Sequence, residues 1–190
     1  MPPNLSARVV SFGLLLQLIF TAQALPAFAE EEDFTIVPGE RIGVVKLGMN
    51  PEEVKVKMGN HDGAYVLPNG INVEYAIWKE TDKITYTIKV FYDKQWRLIQ
   101  VSEAAPKAIT ADDISIASSF SDVTSKYKNL EPFRYKAKDT HIVYYDDVKR
   151  GIAFEFTWAD SEGESSKHLY AILVHEPGKR VVPDADEHPL

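Results

Sequence analysis

The chain changes hydrophobic period twice, and each change follows the start of a helix. Val54 and Met58 lie four apart, on one helical face. Asn50 is a favoured N-cap, Pro51 suits the first helical position, and Glu53 stands three residues after the cap. Gly59 supplies the stop, so the spacing predicts a capped helix between Asn50 and Gly59. After a polar loop at 60–63 the period becomes two. Tyr65 to Leu67 reads as a short strand and Pro68-Asn69-Gly70 as a hairpin turn. Asn72 to Trp78 alternates, and Ile84, Tyr86, Ile88, Val90 and Tyr92 form the longest clean alternation in the chain. After a turn at 93–95, Trp96 to Ser102 returns.

The order then recurs. Ser119 takes the cap position 69 residues after Asn50, with Asp122 matching Glu53, Val123 matching Val54 and Tyr127 matching Met58. Asn129 to Pro132 ends this second helix. Ile142-Val143-Tyr144 matches Val73-Glu74-Tyr75 at the same offset, and Ile152, Phe154, Phe156 and Trp158 alternate like the long strand before them. Leu169 to Val174 is the last strand. A supersecondary unit built twice is the simplest reading. The expected fold is α+β: two tandem units, each a capped helix followed by about four antiparallel strands, side by side at 30–103 and 104–177. Gly178 to Leu190, with two prolines and several acids, reads as a disordered tail.

Residues 1–29 follow a different logic. Arg8 precedes a mostly apolar run from Val9 to Ala24, and Ala27-Phe28-Ala29 is a small-x-small cleavage site ahead of an acidic stretch. This is the pattern of a secretory signal, too short in its core for a spanning helix. Cleavage leaves 161 residues and takes the formal charge from −7 to −8. So acidic a chain is poorly suited to nucleic acid or to an anionic membrane surface. There is no cysteine, which excludes a thiol nucleophile, a thiolate metal site and lipidation at cysteine. The expected product is a soluble exported protein, periplasmic or extracellular.

The segment Pro38-Gly39-Glu40, Ile42-Gly43, Leu47-Gly48-Met49-Asn50-Pro51-Glu52-Glu53-Val54 and Gly59 resembles the opening helix motif of the BamE/SmpA-type outer-membrane lipoproteins. It also resembles the β-lactamase-inhibitor-protein-like fold, in which such a unit occurs twice, and the two-unit layout is closer to that second family. The resemblance implies tandem helix-plus-sheet units and a protein-binding sheet. The lipidated cysteine of the first family and the disulfides of the second are missing, so no site residue is carried over.

Catalytic and metal chemistry finds little support. His168 and His175 are seven apart on one strand, a spacing that puts them on opposite faces. Asp160 to Glu164 shares only composition with a calcium loop. Ser118, Ser119 and Ser121 sit at a helix start, and Asp146-Asp147 reads as a turn. No cofactor or metal is expected, and no enzymatic activity. If the helices cover one sheet face, strand parity leaves Trp78, Phe91 and Tyr145 on the open one, joined by Glu74, Lys89 and Glu155. Aromatics rimmed by charges mark interaction surfaces. These six residues are the expected partner-binding site, and the partner class is another protein. The alternatives are a small-ligand carrier with a pocket between helix and sheet and, behind it, a hydrolase with an unrecognised site.

Overall fold

The computed structural model describes residues 33–81, 84–184 and 188–189, with side chains described there except at 78–81, 84, 85 and 188. The expected signal segment lies outside the described residues. Three short strands come first: β1 (Thr35–Val37), β2 (Arg41–Ile42) and β3 (Val45–Lys46). Then follow α1 (Pro51–Met58), β4 (Gly63–Val66), β5 (Asn72–Thr81), β6 (Ile84–Tyr92), β7 (Leu98–Glu103) and β8 (Ile109–Thr110). After them come α2 (Phe120–Lys126), β9 (Glu131–Ala137), β10 (Thr140–Asp147), β11 (Ile152–Ala159), β12 (His168–His175) and β13 (His188–Pro189). The protein is α+β.

Both helices start as their caps dictate. Glu53 N–H donates to Asn50 Oδ1 at 3.0 Å, and Asn50 N–H donates to Glu53 Oε2 at 2.8 Å. In α2 the same reciprocal pair joins Ser119 and Asp122, at 3.2 and 2.8 Å. Each box satisfies two N–H groups that a helix start leaves without partners.

Nine strands form one sheet in the order β13-β9-β10-β11-β12-β7-β6-β5-β4. α1 is followed by four consecutive strands of it, β4 to β7, and α2 by another four, β9 to β12. Within each set every strand pairs antiparallel with its sequence neighbour. The sets meet where β7 pairs antiparallel with β12, through Ile172↔Glu103 to His175↔Gln100. The turn between β10 and β11 requires Gly151: its φ is +71°, and a β-carbon there would collide with the His175 carbonyl oxygen. A second sheet, β3-β2-β1-β8, joins the helices on the inner face of the large one.

The main core fills that inner face. Val54 of α1, Val123 and Tyr127 after it, and Ile36, Ile42 and Val45 of the small sheet pack on Val90, Tyr92, Val101, Ile152, Phe154, Phe156 and Trp158. The parities expected for β6 and β11 are the observed ones. Those of β5 and β10 are reversed. Cross-strand partners share a face, and Val73 pairs with Phe91 while Glu74 pairs with Val90. Val73 therefore points outward and Glu74 inward. On β10, Val143 and Tyr145 join the inner core while Ile142 and Tyr144 pack on the outer face. Both faces of these strands are apolar, so alternation carried no sign. β9 contains Pro132, which reads in sequence as the helix terminator.

Candidate functional site on the outer sheet face

The outer face is covered, and by the segment expected to be disordered. Val181 packs with Ile142, Tyr144, Ala153, Ala171 and Leu173, and Val182 packs against Leu67, Val73 and Phe91. The acids and prolines of the tail give it the composition of a disordered end, but the two valines find apolar seats. Residues 181–184 are thus held on the sheet.

Buried polar side chains hold the tail by its main chain. Gln100, fully buried at the centre of the sheet on β7, donates from Nε2 to the Val182 carbonyl at 3.0 Å and accepts the Val182 N–H at 2.7 Å. The amide acts here as one rung of a strand ladder. Asp146 on β10, also fully buried, accepts the Val181 N–H at 3.0 Å on one oxygen and pairs with His175 Nε2 at 2.9 Å on the other. The second His175 nitrogen lies 3.2 Å from the Glu176 carbonyl oxygen. With both carboxylate oxygens and both ring nitrogens engaged, this pair fixes the segment and offers no free base. Asp184 is met by Lys89 of β6 and by the Tyr65 hydroxyl of β4. Burial pulls the Lys89 ammonium down, but its hydrogen bond and charge pairing with Asp184 outweigh this and leave it above its ordinary value.

Beside Val182 a groove of about 410 Å³ remains, lined by Ile99, Gln100, His175 and Arg97 among others.

The six expected site residues fall in three places. Lys89, Phe91 and Glu155 are on the outer face, as expected from parity. Phe91 is only 2% exposed, with Val182 of the tail packed on its cluster, and Glu155 is 7% exposed. Glu74 and Tyr145 are on the inner face, a correction that follows from the reversed strands. Glu74 accepts from the Tyr92 hydroxyl at 3.3 Å and lies 3.7 Å from His61 Nδ1. Tyr145 meets the Phe120 ring at 4.6 Å with the planes tilted by 48°, and its hydroxyl accepts from Lys167 Nζ at 3.1 Å. The Trp78 side chain lies outside the described residues; its backbone pairs with Tyr86.

Sequence reasoning missed Gln100, Asp146, His175 and Asp184. Asp146 reads as a turn residue but sits inside β10, and a lone glutamine between apolar neighbours gives no signal of a backbone partner 82 residues away. The two strand histidines also share the outer face, not opposite ones. A register shift opposite Glu155/Phe156 adds a residue to β12 and restores the parity. Among the described residues no three His, Asp or Glu side chains converge as metal ligands, and no helix is long and apolar enough to cross a membrane.

A small cleft of about 120 Å³ lies between α1 and the sheet, lined by Val54, Met58, His61, Glu74 and Ile88 among others.

No protein-family model matches the chain, and no curated protein does. A solved extracellular protein containing an SCP domain, from Bacillus anthracis str. Ames, overlaps 70% of this chain at a TM-score of 0.41 and 10% identity. The match covers 44% of that protein, so the chain spans less than half its length. A likeness of that degree assigns neither family nor function.

Proposed function

We propose that the chain is an exported, non-enzymatic protein-binding module that works through the outer face of its large sheet. Export rests on the charged, apolar and small-x-small pattern of residues 1–29. The binding reading rests on one observation: Gln100 and Asp146, buried in the sheet, direct their polar atoms at the main chain of Val181 and Val182, which lie in no strand. A face that merely closes a core is served as well by apolar side chains, without the desolvation of an amide and a carboxylate. Side chains that copy a strand rung suit recognition of extended polypeptide.

The reading of two tandem units belongs to the same proposal. The capping boxes 69 residues apart, each ahead of four antiparallel strands, support it. With it goes the likeness to the β-lactamase-inhibitor-protein-like fold. The cleft beside α1 speaks for the small-ligand alternative, but about 120 Å³ falls below the ~300 Å³ at which ligand pockets usually begin.

Selection from a random displayed-peptide library, followed by NMR mapping of the enriched peptides, tests this. Shifts centred on β7, β10 and β12 on the outer side support the reading. No enrichment, or shifts confined to the α1 cleft, overturns it.

A further inference from the structure

The tail shows what kind of segment the outer face takes. Val181 and Val182 fill two adjacent apolar seats on either side of the β7–β12 junction. Pro183 forces Val182 into extended backbone, which lets its N–H and carbonyl both meet the Gln100 amide. Asp184 then lands on Lys89 and Tyr65. The three elements are separable: main-chain capture by Gln100 and Asp146, two apolar seats, and one cationic seat for a carboxylate.

We infer, resting on the protein-binding reading above, that the partner presents an extended segment with two adjacent branched apolar residues, a proline and an acid, and that residues 181–184 occupy its place until it arrives. Two observations separate this from a permanent structural clasp. Val181 and Val182 belong to no strand, so lifting residues 181–184 leaves the ladders of β4–β7 and β9–β12 intact and puts at stake only the two-residue pairing of β13 with β9. The groove of about 410 Å³ alongside Val182 extends the site beyond what the tail fills, giving an incoming segment a foothold before the tail leaves. A tethered tail competes at millimolar effective concentration, so a free segment of equal intrinsic affinity binds the intact chain only weakly.

The probe is a fluorescent synthetic peptide of residues 177–190, titrated into the full chain and into the full chain carrying Val182→Ser with Asp184→Ala. These substitutions loosen the tail and leave the sheet side of the groove, Ile99, Gln100 and His175, unaltered. The doubly substituted chain is expected to bind the peptide at least tenfold more tightly than the unaltered one. A peptide carrying the same two substitutions is expected to lose that gain, as is a chain with Gln100→Leu added. Amide exchange gives a second readout that needs no variant: the Val181 and Val182 amides should exchange at least a hundredfold faster than those of Val101 and Ile172. Equal weak binding in both chains, or tail amides that exchange only with the core, makes the tail a fixed part of the fold and overturns the inference. In that event library peptides that still map to the outer face leave the protein-binding reading standing.

Discussion

Glu103→Gln should remove most of the loss of stability between pH 5 and pH 8.5. Glu103 ends β7 on the inner face, 4% exposed, between Ile172 of β12 and Ile88 of β6. Burial pushes its carboxyl up from 4.5 to about 8, and the Ala105 N–H bond at 2.9 Å only partly opposes this. The acid is therefore protonated in the folded chain at pH 6 and ionised in the unfolded one. Between about 4.5 and 8 the folded state binds the extra proton, so stability is full below 4.5 and falls as pH rises through 8. A displacement from 4.5 to about 8 sets an upper bound on the order of 5 kcal/mol. Relaxation and water entry reduce it, and about 3 kcal/mol is a reasonable expectation. Glutamine keeps the oxygen that accepts from Ala105 and cannot ionise. Urea unfolding of both proteins at pH 5.0 and 8.5 gives a double difference in which the variant's own packing cost cancels. Equal pH dependence in the two would refute the assignment of the buried charge to Glu103.

Three further outcomes follow from the geometry. Asn50→Ala and Ser119→Ala should each lower stability by about 1 kcal/mol, read from denaturant midpoints, since each box holds two helix N–H groups; an unchanged midpoint for the Ser119 variant would count against equivalent roles for the two caps. Tyr145→Ala should destabilise by ~3 kcal/mol or more because the ring lies in the inner core, whereas a surface anchor would leave the melting temperature unmoved. Intact mass of protein from the native envelope should place the mature N-terminus at Glu30, and a retained residue 1 would sink the signal assignment.

The helix starts were legible because capping is local: Asn50 with Glu53 and Ser119 with Asp122 lie within one turn. The long strands were legible where only one face is apolar, as on β11 with Glu155 and Thr157 between its rings. β5 and β10 were not, because Val73, Phe91, Ile142 and Tyr144 serve an outer core completed by residues far away in sequence. The same cause hid the candidate site. Gln100 and Asp146 acquire meaning only once Val181 and Val182 are laid over them, and a tail of charges and prolines hides two valines with seats waiting. A single-residue bulge in β12 reversed the parity argument for His168 and His175, a kind of irregularity that periodicity cannot register.

The junction between β7 and β12 sets how the chain can misassemble. Every other adjacent pair among β4–β7 and β9–β12 is a hairpin between sequence neighbours, so each set can zip up locally. The junction rests on four residue pairs whose partners lie about 70 positions apart. A molecule with both sets formed and the junction open presents two bare strand edges, β7 and β12, that match each other equally well within one chain and between two. Refolding at high concentration should then yield domain-swapped dimers in which β7 of one copy pairs with β12 of the next. Because Gln100 sits on β7 while Asp146 and His175 sit on β10 and β12, each groove in such a dimer would be assembled from two chains.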